Sequence, residues 1–146
     1  AFDIILRAEA GTFFDQLVRE KGVDTMVEQS PASRANSLRQ ARFIPAVEYL
    51  QANRHRRRLI NEMYEIMKDL DVLISPTFGG RQLSITNLTG HPVISVPTGL
   101  DDKQHPTSLT FIGNLYDEEA ILLMAKAFQA RTEFDEMYPP NYLPGK

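Results

Sequence analysis

The residues whose types could do chemistry gather in one stretch, Asp71 to Gly99. Thr77, Phe78, Thr86, Asn87 and His91 fall in its turn and its polar loop. Apolar runs flank them, Val72-Leu73-Ile74 closing on Pro76 and Val93-Ile94-Ser95-Val96 closing on Pro97. Buried strands that end in a polar loop are a common way to present a pocket. His91 titrates near neutrality and could serve as a base; its plainer role is to pack its loop. Asn87 could bond a substrate carbonyl, although an asparagine set among threonines more often satisfies its own turn. A triad of Ser95, His91 and a carboxylate is the remote option.

Other constellations fail on spacing. His55, His91 and His105 are too scattered for a metal site, so no metal and no cofactor is expected. Asp101-Asp102 reads as a solvated hairpin tip and not a calcium loop. The Gly79-Gly80 turn has no phosphate-loop spacing and no Lys-Ser/Thr pair. Absence of cysteine removes disulfides, thiolate metal sites and cysteine nucleophiles.

The elements that must position these residues can be read from periodicity. Phe2 to Glu20 reads as an amphipathic helix, weakest at Gly11, with Gly22 as its stop. Ser30-Pro31 opens a short helical segment to about Arg39, with little apolar surface and an expected place near the outside. A long helix runs from about Ile44 to Leu70, with Pro45 in its first turn. Its stripe of Ala46, Tyr49, Asn53, Arg56, Ile60, Met63, Met67 and Leu70 is interrupted by polar residues near the middle. Most of the run Arg54-His55-Arg56-Arg57-Arg58 reads as a solvated face, while Arg56 or Arg57 could turn inward onto a carboxylate.

Asp71–Ser75 reads as a buried strand, short and β-branched. Leu83 to Leu88 is a helical turn or an irregular loop. Val93–Val96 and Thr107–Ile112 read as antiparallel hairpin partners, with Leu109 and Phe111 on one face and Thr110 and Ile112 on the other. Asp117 to Arg131 reads as a helix with Ile121, Met124, Ala125 and Phe128 inward, and the tail from Tyr138 holds three prolines and reads as extended. The fold class is therefore α/β: a partial mixed β-sheet of about three strands, flanked by helices, with too little sheet to close on its own.

The totals bound the rest. The 146 residues suit a single domain or a fragment, with 42% hydrophobic and 24% charged residues. A net charge of -3 gives no reason to expect nucleic acid or an acidic membrane. No apolar run approaches the ~20 residues of a membrane span, and a cytoplasmic setting is the expectation. The opening Ala-Phe-Asp carries no helix cap and reads as a chain cut inside a larger protein.

Several motifs in order resemble one family. These are Asp71-Val-Leu-Ile-Ser-Pro-Thr77, Thr86-Asn-Leu-Thr-Gly-His-Pro92, Ile94-Ser-Val-Pro-Thr-Gly99 and Ser108-Leu-Thr-Phe-Ile-Gly113, with Leu122-Leu123-Met124-Ala125 and Tyr49-Leu50…Arg54 beside them. Together they resemble the carboxy-terminal part of the amidase signature family. That resemblance implies a parent enzyme hydrolysing carbon–nitrogen amide bonds, with a serine nucleophile, a second serine in a cis peptide and a lysine base. It also implies a large mixed sheet wrapped by helices. The seven serines here, Ser30, Ser33, Ser37, Ser75, Ser84, Ser95 and Ser108, include no adjacent pair, and no lysine stands in the family's catalytic context. No catalytic residue is therefore carried over. The resemblance places Thr77, Phe78, Thr86, Asn87 and His91 on a pocket wall near the acyl side of the substrate. The expected partners are the missing amino-terminal portion or a second copy, with a small amide substrate only in the full-length parent. A non-catalytic interaction module is the alternative. Amidotransferases working with tRNA-dependent partners are a third reading, which the Thr-Asn-Leu-Thr-Gly-His-Pro run favours less than stand-alone amidases.

Overall fold

The computed structural model describes residues 1–138; the expected extended tail lies, apart from Tyr138, outside the described residues. The chain forms two compact units that divide after Arg58, inside the long helix.

In the first unit, α1 (Phe2–Phe13) and α2 (Asp15–Arg19) replace the single helix expected from periodicity. The break falls at Phe14, with φ −95° and ψ 19°, and not at Gly11. Gly11 is buried inside α1, where a β-carbon would meet that of Ala41 at 2.5 Å. Nor does Gly22 stop the helix. Lys21 takes the left-handed conformation one residue earlier, at φ 59°, and a 3-10 turn follows over Gly22–Thr25.

Helix α3 (Arg34–Ala41) overturns the expectation of an outer segment. Ala35, Leu38 and Ala41 are all buried, and Ala35 and Leu38 form a core with Val23, backed by Ala10, Val18 and Met26. Small side chains achieve this because they let helices approach closely. The buried Ser33 caps α3 by accepting a hydrogen bond from the Asn36 amide at 3.2 Å. Charged pairs then tie the rim, Arg39 to Asp24 and Arg42 to Asp15, with Arg19 also on Asp15 at 2.6 Å.

Helix α4 spans Ala46–Met67. Along its stripe Tyr49, Asn53, Arg56 and Ile60 are half-buried and Met63 and Met67 buried, while Ala46 and Leu70 are exposed. Arg54, His55, Arg57 and Arg58 are exposed, as a solvated face requires, and Arg56 alone of the run turns partly inward.

In the second unit, β1 (Val72–Pro76), β2 (Val93–Leu100) and β3 (Pro106–Gly113) pair in the order β1-β3-β2. Both pairings are antiparallel, so among the described residues the sheet is not mixed. The β2–β3 hairpin forms as expected, with its register shifting between Pro97 and Gly99. Strand β1 is not buried as expected: it lies at a sheet edge, and Ile74 is 59% exposed.

The alternation in β3 decides the layers. Phe111 and Leu109 face Ile121, Ala125 and Phe128 of α6 (Glu118–Gln129), together with Val96. Ile112 on the opposite face packs with Met63 and Met67, backed by Leu73 and Ile85. Met124, expected inward, is exposed. The stretch left between helix and loop is helical: α5 covers Gln82–Thr89 and ends on Gly90 in the left-handed conformation.

Candidate functional site

Of the predicted wall residues, Thr77 and Phe78 lie in the β1–α5 turn, Thr86 and Asn87 in α5, and His91 just beyond its end. Ser75-Pro76 leads into this turn, and the Gly79 amide donates to the Pro76 carbonyl at 2.9 Å. A β-carbon on Gly79 would sit 3.0 Å from both that carbonyl oxygen and Ser75 Oγ, so the close turn needs glycine there. Phe78 projects from this turn and is 92% exposed.

Along α5 the hydrogen-bonding side chains are used locally. Asn87 Nδ2 donates to the Leu83 carbonyl at 2.8 Å, and Thr86 Oγ1 donates to the carbonyls of Leu83 and Gln82 at 3.2 and 3.3 Å. Thr86 is buried and Asn87 exposed. Thr89 Oγ1 donates to the Ile85 carbonyl at 3.0 Å, so its contact with His91 Nδ1 at 2.8 Å is one in which the ring donates. In its neutral form His91 then carries its proton on Nδ1. It is 6% exposed, and burial lowers its pKa from the ordinary 6.5. Ser95 is engaged elsewhere, by Thr110, so the Ser95–His91 dyad is not formed.

Thr77 belongs to a group that the sequence reading missed. Its hydroxyl accepts from Ser108 Oγ at 2.8 Å and from Thr110 Oγ1 at 3.1 Å, and Thr110 is in turn 3.0 Å from Ser95 Oγ. The register brings them together, since Thr110 pairs with both Ser75 and Ser95. The sequence signal was there: hydroxyl residues at alternate strand positions, Ser75 and Thr77, then Ser108 and Thr110. By parity with Ile112 this hydroxyl band lies on the sheet face that also receives Met63 and Met67.

A cleft of about 810 Å³ in the first unit contains none of the predicted wall residues. Its polar groups are spent on one another, Arg42 on Asp15 and the Tyr49 hydroxyl on Glu9 at 3.3 Å. Among the described residues no cluster of three metal-binding side chains occurs, and no helix is long and apolar enough to cross a membrane.

Comparison with known proteins bears on the parent family. A glutamyl-tRNA(Gln) amidotransferase subunit of Syntrophomonas wolfei is 30% identical over 182 aligned positions, covering 95% of this chain and 36% of that protein. The chain is homologous to the carboxy-terminal part of amidase signature proteins. The corresponding protein of Ehrlichia chaffeensis is 33% identical over 102 residues, 58% of this chain and 21% of that one. A crystal structure of an amidase superposes with TM-score 0.71 at 18% identity, covering 88% of this chain and 34% of its own. No profile of a known protein family matches.

The amidase signature relatives clarify two points. The chain spans about a third of the length of the relatives it matches. The alignment with the Syntrophomonas protein is longer than the 146 residues here, so that relative carries stretches with no counterpart in this chain. Both named curated relatives come from amidotransferases, the branch that the loop motif favoured less.

Proposed function

We propose that this chain is the carboxy-terminal portion of an amidase signature hydrolase whose remaining portion holds the serine–serine–lysine machinery. The chain supplies sheet strands, covering helices and one wall of the substrate pocket, and it hydrolyses no amide alone. The observation that carries this reading is a disproportion. Nearly all of this chain, 95%, aligns with barely a third of its relative, 36%, and the chain contains no adjacent serine pair. A wall without a nucleophile binds an acyl group but cannot break its carbon–nitrogen bond.

The test is an assay of the pure 146-residue chain on simple amides such as benzamide, beside the same chain joined to the upstream two-thirds of a relative. Hydrolysis should appear only in the joined protein. Turnover by the isolated chain, abolished on removing one of its own side chains, overturns the proposal.

A self-associating module is the second reading. Edge strand β1 carries the exposed Ile74, and α6 exposes Leu122 and Leu123, an apolar surface that a second copy could cover. Solution mass separates the two readings: a monomer at micromolar concentration removes the module.

A further inference from the structure

We propose that Thr77 is a dedicated hydrogen-bond donor to the acyl oxygen of a small amide or of its carboxylate product, seated at the turn between β1 and α5. The inference rests on reading this turn as pocket wall and adds to it the atom that does the binding.

It follows from counting protons. A hydroxyl has one proton to give and two lone pairs to receive. Ser108 and Thr110 both donate to Thr77 Oγ1, at 2.8 and 3.1 Å, which fills its lone pairs. Because the Thr110 proton is committed to Thr77, the 3.0 Å contact between Ser95 and Thr110 must have Ser95 as donor. Three protons on two strands, that of Ser95 on β2 and those of Ser108 and Thr110 on β3, are thus ordered towards one oxygen, and the proton of Thr77 itself has no acceptor among the described residues. Chains of hydrogen bonds polarise their members, so the terminal hydroxyl is a stronger donor than an isolated threonine.

A second observation points the same way. Gln82 Nε2 is the one buried side-chain nitrogen or oxygen without a partner among the described residues, and it lies at the other end of the same turn. It too is a donor. An unsatisfied donor calls for an acceptor. The Thr77 hydroxyl rejects an ammonium group, for which it has no lone pair left. Phe78, next to Thr77 in the turn, offers an exposed aromatic ring for the apolar body of the acyl group.

The experiment titrates the 146-residue chain with benzamide, benzoate and benzylamine, following backbone amide NMR shifts over residues 77–82. Benzamide and benzoate distinguish amide from product, and benzylamine is the cationic control. Saturable shifts are expected with either acyl compound and none with benzylamine. Thr77→Val should bind roughly three- to tenfold more weakly, the worth of one hydrogen bond, and Thr77→Ser should bind like the parent. Dispersed spectra of both variants show that the fold is intact. Binding by Thr77→Val within twofold of the parent, saturable shifts with benzylamine, or no binding of either acyl compound overturns the inference. Hydrolysis is not read here, so failure of the amidase reading on activity and failure of this site on binding are distinct results.

Discussion

Gly11 of α1 and Ala41 at the end of α3 lie so close that a β-carbon at position 11 would stand 2.5 Å from Ala41 Cβ. Alanine is the better helix former by about 1 kcal/mol. Overpacking costs about 1–3 kcal/mol, so the clash should win. Gly11→Ala is expected to lower stability by about 1 kcal/mol or more, read from the urea midpoint. Ala41→Gly introduced beside it should recover part of the loss, which a double-mutant cycle measures as coupling. Additive effects would refute the contact.

Two helix caps should differ in strength. Ser33 is buried and accepts from Asn36 at 3.2 Å, whereas Asp117 is exposed and accepts from Ala120 at 3.4 Å. Water can replace the second bond but not the first. Ser33→Ala is expected to cost about 1–2 kcal/mol and Asp117→Ala about 0.5 kcal/mol. Chemical denaturation of the two variants ranks them, and the reverse order would contradict the geometry.

Phe111 is 1% exposed, and its ring meets that of Phe128 edge-on at 6.0 Å. Phe111→Ala should cost about 3–5 kcal/mol, a large share of the ~5–15 kcal/mol that holds an ordinary domain. A thermal melt of the variant should show the second unit unfolded or nearly so at 37 °C.

His91 should make stability depend on pH. Its folded pKa is lowered by burial, so the unfolded chain takes up a proton first as pH falls. The stabilising contribution is therefore complete above the ordinary value of 6.5 and is lost as pH falls through the folded value. Urea midpoints measured between about pH 7 and pH 5 should decline in the parent. In His91→Gln that decline should be smaller; an equal decline would place the titration elsewhere.

The parts of the fold legible in the sequence are those where large side chains repeat. The Met63 and Met67 spacing and the Leu109/Phe111 alternation each point to the face that is buried. Helix α3 was misread because its burial rests on Ala35 and Ala41, whose small size carries no strong apolar signal yet allows close approach. Strand β1 was misread for the opposite reason. Its β-branched run announces burial on both sides, yet β1 is an edge strand and Ile74 is open on this chain. At the site, the sequence supplies Thr77 but not its partners. Thr77 bonds Ser108 and Thr110 because β1 pairs with β3, and while the alternating hydroxyls mark one face of each strand, they do not say which strands pair.

The strand order has a consequence for how the chain comes together during synthesis. β2 and β3 meet across a short turn as soon as both have left the ribosome, but β1 must pair with β3, so Val72 waits for Gly113. Throughout that interval the apolar segment 72–76 is translated, solvent-facing and without a ladder. Closing the longer loop costs more chain entropy and comes later. Docking of the first strand onto the last is thus the pairing expected to form last in the second unit, and a nascent chain halted before Thr107 offers an unpaired strand to whatever chaperone or neighbouring chain reaches it first.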